Sequence, residues 1–207
     1  MTYLDYSATT MINKDVLKEI GNNLFKEANK EELKEYKEKI QKILNTDLEV
    51  NITSGSTESN NWALKGICQD NPNIKNKIIT TEMEHSSINE TLEYLKTKGY
   101  EVIYSPLKDG VIDIESLEKL LTKEVALITV ASVNSETGTL QPVEKIAKLS
   151  KKYKIPFHCD MTQSIGKINI PLENIDLISL SAHKIYGPKG IGLLLKNKDL
   201  PIKSIIY

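Results

Sequence analysis

The sequence predicts an α/β fold in which a largely parallel sheet is flanked by helices, and two observations lead there. From residue 49 onward, short apolar stretches rich in β-branched residues alternate with longer amphipathic stretches. Small, polar, glycine-containing motifs follow directly on several of the apolar stretches, where open parallel sheets place their ligands. The order strand, helix, strand is the signature of crossover connections in a parallel sheet.

Each element has its own warrant. Residues 14 to 27 and 31 to 45 carry apolar positions at helical spacing with charged positions between them, as expected of helices with solvated faces. Seven strand-like stretches follow: Val50 to Thr53, Lys77 to Thr81, Glu101 to Tyr104, Val125 to Val133, Pro156 to Asp160, Asp176 to Leu180 and Ile191 to Leu195. Helices are expected between them at Thr57 to Cys68, Ser87 to Lys98, Ile114 to Leu121 and Val143 to Tyr153. Residues 1–46, an extended start and two helices, are expected to belong to the same unit as residues 47–207.

Composition narrows the function classes. The 207 residues include 27 Lys+Arg and 28 Asp+Glu, a formal net charge of −1, so no global field draws in nucleic acid or an acidic membrane. No apolar run reaches the roughly 18 residues of a membrane span, and the start lacks a signal peptide's pattern. A cytoplasmic protein is expected. Two cysteines, Cys68 and Cys159, are too few for a disulfide framework, and three dispersed histidines make no local metal motif.

Four motifs carry chemistry. In Thr53-Ser-Gly-Ser-Thr-Glu-Ser-Asn-Asn a strand ends, a small-residue turn follows and a helix begins. Free backbone N–H groups and the hydroxyls of Ser56 and Thr57 suit a phosphate there, or simply cap the helix. In Thr80-Thr-Glu-Met-Glu-His, His85 stands between a strand and a helix, where an imidazole can cover an aromatic ring, exchange protons or act as a cap. Asp160 closes the strand of Phe157-His-Cys-Asp-Met-Thr-Gln; a carboxylate there can hold a proton on a pyridine nitrogen or cap the next turn. The loop Ser181-Ala-His-Lys-Ile-Tyr-Gly-Pro-Lys-Gly offers two amines. Lys184 lies at the sheet edge and suits a Schiff base, whereas Lys189, between Pro188 and Gly190, reads as an exposed turn residue.

Together with Tyr3-Leu-Asp-Tyr-Ser-Ala-Thr-Thr and Gly138-Thr-Leu-Gln-Pro, these motifs stand in the order found in cysteine desulfurases of the class V aminotransferase group. The chain resembles that family from residue 3 to about 200. The resemblance implies the large domain of a pyridoxal-phosphate (PLP) dependent transferase, with a mainly parallel seven-stranded sheet and residues 47–207 as its cofactor-binding part. The family's carboxyl-terminal small domain is absent from these 207 residues. By motif, Ser56, Thr57, Ser181 and His183 would bind the cofactor phosphate, His85 would stack on the ring and Asp160 would pair with its nitrogen. Gln163 would contact the ring hydroxyl, and Lys184 would bind the aldehyde; Lys184 and His85 would be the catalytic pair.

The activity implied is conversion of L-cysteine to alanine with transfer of sulfur through an enzyme cysteine, serving iron–sulfur clusters, thiolated tRNA or thiamine. The implied partners are a second copy of the chain or a separate small-domain polypeptide, and a sulfur-acceptor protein. A selenocysteine or cystine lyase, and a non-catalytic PLP-fold protein, are the alternative readings. Three departures from the family pattern stand out. The loop with Gly-Asn-Pro and His between the first two helices is missing, Ser135 replaces an expected asparagine, and no cysteine follows Lys184. Cys159 should point away from Asp160 across its strand, and Cys68 should end an apolar helix face.

Overall fold

The structure is a computed structural model that describes residues 2–27, 29–68 and 75–205. Two helices come first, α1 (Lys14–Asn23) and α2 (Lys30–Leu44). Strand β1 (Glu49–Thr53), helix α3 (Ser56–Cys68), β2 (Lys77–Thr80), α4 (Ser86–Lys96) and β3 (Glu101–Tyr104) follow. A short hairpin, β4 (Leu107–Lys108) and β5 (Val111–Ile112), leads to α5 (Ile114–Leu120), β6 (Val125–Ala131) and α6 (Val143–Tyr153). The chain ends with β7 (Phe157–Asp160), β8 (Leu177–Ser181) and β9 (Gly192–Lys196).

Seven strands form one sheet in the order β1-β9-β8-β7-β6-β2-β3. Strands β8, β7, β6, β2 and β3 pair in parallel, and β9 runs antiparallel to both β8 and β1. Adjacent apolar residues on each central strand divide between two layers of core, because side chains alternate across a strand. Ile78, Leu127, Leu177 and Leu194 pack with Ala63, Leu64, Ile88 and Leu92 of α3 and α4. Their neighbours Ile79, Ile128, Ile178 and Leu195 pack with Leu117 of α5 and Ile146 of α6 on the other face, where Ile40 and Leu44 of α2 add their edge. Burying each such aliphatic side chain is worth about 1.5–3 kcal/mol, so this two-sided core holds the strand ends that carry the site.

The expected strands and helices are all present, with shifted ends that have local causes. Helix α1 stops at Asn23, short of residue 27: the Asn23 amide donates back to the Glu19 carbonyl at 2.9 Å, and α1 buries no residue that would extend it. Strand β6 ends at Ala131 rather than Val133; beyond it Val133 makes only a single bridge to Leu140. The hairpin β4–β5 was not expected from the sequence. Its turn is Asp109-Gly110, both with positive φ (52° and 78°), the backbone of a tight two-residue hairpin.

Candidate active site at the carboxyl ends of the strands

Four chain reversals bring the candidate residues together. Strand β1 leaves into the turn before α3, placing Ser56 and Thr57 at that helix's amino terminus. The segment after β2 delivers His85 as the residue that caps α4. Strand β7 ends in Asp160, and β8 passes into a 3-10 turn, Ala182–Lys184. These ends surround a cavity of about 230 Å³ lined by Ser56, Thr57, His85, Asp160, Gln163, His183 and Lys184, with Ala8, Met83, Ala131, Val133, Asn134, Ser135 and Thr162. A larger open groove of about 1140 Å³ lies where β1 and β8 begin, lined among others by Gln41, Asp47, Leu172 and Asp176, and contains none of the candidate residues.

Of the eight residues expected from the sequence, seven line this one cavity and the eighth, Ser181, is buried next to it. A β-carbon added to Gly55 would lie 3.7 Å from Ser181 Oγ, so β8 approaches the turn before α3 closely. Gly192 makes that approach possible. It pairs with both Thr53 and Ser181, and a β-carbon there would lie 2.5 Å from Gly55 Cα, inside any tolerable contact.

Lys184 Nζ donates to the Ala8 carbonyl at 2.8 Å and also to the Ser7 carbonyl. Partial burial holds its amine below the ordinary lysine range, the nearby Lys167 charge lowers it further, and Asp5 and Asp160 act the other way. A lowered lysine has more of the neutral form that attacks a carbonyl. Gln163 Nε2 donates to the same Ser7 carbonyl at 2.9 Å, and its Oε1 accepts from Lys167 Nζ at 3.3 Å. Segment 7–10 is tied down further: the Thr10 N–H donates to the His183 carbonyl, and Thr9 Oγ1 lies 3.0 Å from His183 Nδ1. Lys189 is exposed, as the sequence suggested.

Asp160 is buried, and both of its carboxylate oxygens accept from neutral donors: Oδ1 from the Thr162 N–H and Oδ2 from Asn60 Nδ2, each at 2.9 Å. The turn-capping role and a buried, aimed carboxylate therefore coexist. His85 Nδ1 accepts from the Ser87 N–H at 3.1 Å and lies 2.8 Å from Ser87 Oγ. An accepting Nδ1 leaves the ring hydrogen on Nε2. His85 so combines the helix-cap reading with a position on the cavity wall.

Several residues of this site escaped the sequence reading. Glu84 bridges two strand ends beneath His85, accepting from Thr81 Oγ1 at 2.6 Å and from the Ala131 N–H at 2.7 Å. Burial pushes its carboxyl up to about 8. Asn60 and Ser87 touch Asp160 and His85 respectively. Their signal was present in the motifs already singled out, since Asn60 lies one helical turn after Ser56 and Glu84 adjoins His85. Asn134 Nδ2 donates to the Met83 carbonyl and its Oδ1 organises the turn at 136–137, while Ser135 faces the cavity. Both cysteines are free and buried in the core: Cys159 lies in the layer of α5 and α6, Cys68 in that of α3 and α4. Burial drives both thiols up, Cys68 to about 12, so neither is poised as a nucleophile. Among the described residues there is no cluster of His, Cys, Asp or Glu suited to a metal, and no helix is long and apolar enough to cross a membrane.

A sheet of this order, with an amine, a buried carboxylate and a helix amino terminus around one cavity, is the architecture of a PLP-dependent transferase. The chain belongs to the class-V aminotransferase family, whose model matches residues 2–203. Among its relatives are cysteine desulfurases. It is 38% identical over 221 residues to the cysteine desulfurase IscS of Clostridium botulinum (strain Kyoto / Type A2), covering 99% of this chain and 56% of the relative. It is 41% identical over 209 residues to the cysteine desulfurase IscS of Buchnera aphidicola subsp. Baizongia pistaciae, covering 92% and 52%. The chain thus spans about half the length of the curated relatives it matches. Among solved structures, a NifS-like protein superimposes with a TM-score of 0.92 at 36% identity, over 100% of this chain and 61% of that one. A structure titled SspA in complex with cysteine gives 0.90 at 33%, over 100% and 65%. Enzymes of this family depend on PLP.

Proposed function

We propose that this chain is the cofactor-binding part of a PLP-dependent cysteine desulfurase, with L-cysteine as the substrate. The observation that carries the reading is the convergence of Lys184, Asp160, His85 and the amino terminus of α3 on one cavity at the carboxyl edge of the sheet. The donor set suits the cofactor. Ser56 and Thr57, at a helix start whose first N–H groups point outward, together with Ser181 and His183, would hold a phosphate. Asp160, already braced by two donors, would take the pyridine nitrogen, Gln163 the ring hydroxyl and Lys184 the aldehyde carbon.

When bound, the cofactor supplies an electron sink for loss of the substrate's α-proton. The chain's own residues prepare that chemistry. Lys184 offers a partly desolvated amine whose neutral form is favoured by Lys167. Asp160, buried and already accepting from Asn60 and Thr162, would hold a proton on the ring nitrogen of the bound cofactor by a charge-assisted hydrogen bond. With Nδ1 accepting from the Ser87 N–H, the His85 ring on the cavity wall carries its hydrogen on Nε2 and would serve there as a hydrogen-bond donor.

Sulfur transfer needs a nucleophilic thiol, and the burial of Cys68 and Cys159 in the core argues against both. The accepting thiol therefore lies outside these 207 residues, on a further segment or a separate polypeptide, and the product sulfur passes to an acceptor protein. A second copy of the chain is the other expected partner.

The test is direct. The purified chain mixed with PLP should develop the visible absorbance band of lysine-bound cofactor, and Lys184→Ala should lose it. Absence of the band in the parent chain would sink the cofactor reading.

A further inference from the structure

Asn60 stands at 0% exposure on the second turn of α3, within hydrogen-bond reach of both Asp160 and Ser87. Its Nδ2 uses both hydrogens. One goes to Asp160 Oδ2 at 2.9 Å and the other to Ser87 Oγ at 2.9 Å. The Ser87 hydroxyl, accepting from Asn60, must then direct its own hydrogen to its remaining neighbour, His85 Nδ1 at 2.8 Å. The Ser87 N–H donates to the same nitrogen at 3.1 Å. Each link leaves the next one direction to point. A carboxylate accepts only, so Asp160 turns the amide of Asn60 with its NH₂ inward; the amide orients the hydroxyl, and the hydroxyl reinforces the tautomer of His85 that the Ser87 N–H already favours.

One further feature marks this arrangement as more than packing. Asn60 Oδ1 is buried and, among the described residues, has no hydrogen-bond partner. An apolar residue of similar shape would avoid that unmet acceptor, and buried polar groups left unmet are uncommon. Turning the amide over would satisfy nothing, because it would set the oxygen against the Asp160 carboxylate.

We infer that Asn60 is a positioning residue that carries the orientation of Asp160 to His85 through the Ser87 hydroxyl, so that His85 shows an N–H at Nε2 to the cavity. The two side chains that would contact opposite features of a bound ring are thereby set by one internal chain of hydrogen bonds. The inference rests on the proposed function only in calling them cofactor-facing; the chain of bonds is a property of the protein itself.

Nitrogen-15 spectra of the histidine side chains test it in the cofactor-free chain, at about pH 8.5, above the ordinary histidine range. The parent should show His85 with a hydrogen-free Nδ1 and a protonated Nε2. In Asn60→Ala and in Ser87→Ala the ratio of the two tautomers should move toward parity by about three- to tenfold, the size of one neutral hydrogen bond. Asp160→Asn should move it the same way, and by much less when Asn60 is already alanine, since both act along one path. A folded Asn60→Ala chain with the parental ratio overturns the inference. So does an Asp160→Asn effect of equal size with and without Asn60, which would make it a through-space field. If Asn60→Ala does not fold, Ser87→Ala decides, and an unchanged ratio there overturns it equally. A PLP titration run beside these spectra keeps the two readings apart: a parent chain without the visible band fails the cofactor reading and leaves the tautomer result standing.

Discussion

Glu84→Gln removes a buried ionisable group while keeping the shape and hydrogen bonds around it, which makes it a sharp test of how the strand ends near His85 are held. Glu84 is 8% exposed and accepts from Thr81 Oγ1 and from the Ala131 N–H. A glutamine oxygen can still accept from Ala131, and its amide can donate to Thr81 Oγ1. Burial, assisted by the Asp160 charge, raises the carboxyl from the ordinary 4.5 to about 8, against the pull of its two donors. That rise is about 3.5 pH units (8 minus 4.5), or about 5 kcal/mol at roughly 1.4 kcal/mol per unit. The folded-state value is the higher one. Between pH 4.5 and 8 the folded chain therefore keeps a proton that the unfolded chain has released. The stabilisation is complete below 4.5 and is lost as pH climbs through 8. His158, buried between Thr129 and Ser179, works in the opposite sense: burial lowers its imidazole, so stability rises with pH below the ordinary histidine value of 6.5. Measuring from about pH 6.5 to 8 stays clear of it. Over that window urea unfolding followed by circular dichroism should show the parent losing about 2 kcal/mol more than Glu84→Gln. Equal slopes in the two proteins would refute the argument, because they would mean that Glu84 ionises as an ordinary carboxylate.

Two further changes act on neighbours of the cavity-lining residues. Lys167→Ala removes the positive charge that lowers the Lys184 amine, so that amine should titrate higher and the rate of PLP loading at neutral pH should fall, recovering at higher pH; a loading profile identical to the parent's would show that burial alone tunes Lys184. Gly192→Ala places a β-carbon 2.5 Å from Gly55 Cα and should cost about 1–3 kcal/mol of stability by overpacking. Because it forces the turn before α3 away from Ser181, it should also weaken phosphate and PLP binding, read by titration of the visible band. Unchanged binding would separate the phosphate reading from the Gly55–Gly192 contact.

What was legible in the sequence divides by the distance over which each signal acts. The central strands announced themselves as runs such as Ile78-Ile79, Leu127-Ile128 and Leu177-Ile178, because a strand covered on both faces needs apolar residues at both alternating positions. The hairpin at Asp109-Gly110 carried a local signal as strong, yet its strands of two residues each are too short to register as periodic. At the site, the residues that end strands or begin helices could be read from their motifs. Those that support them could not, since Asn60 and Asp160 lie 100 positions apart and meet only once the sheet is assembled. The pair Cys159 and Asp160 shows how little of this is composition. Neighbours in sequence, they fall on opposite faces of β7, and the same alternation that aims the carboxylate into the cavity sends the thiol into the core of α5 and α6. The residue type that sulfur transfer requires is thus present one position from the site and yet turned away from it. Under the proposed function, the strand's geometry would separate holding a cofactor from accepting sulfur, for which another thiol would have to reach the cavity.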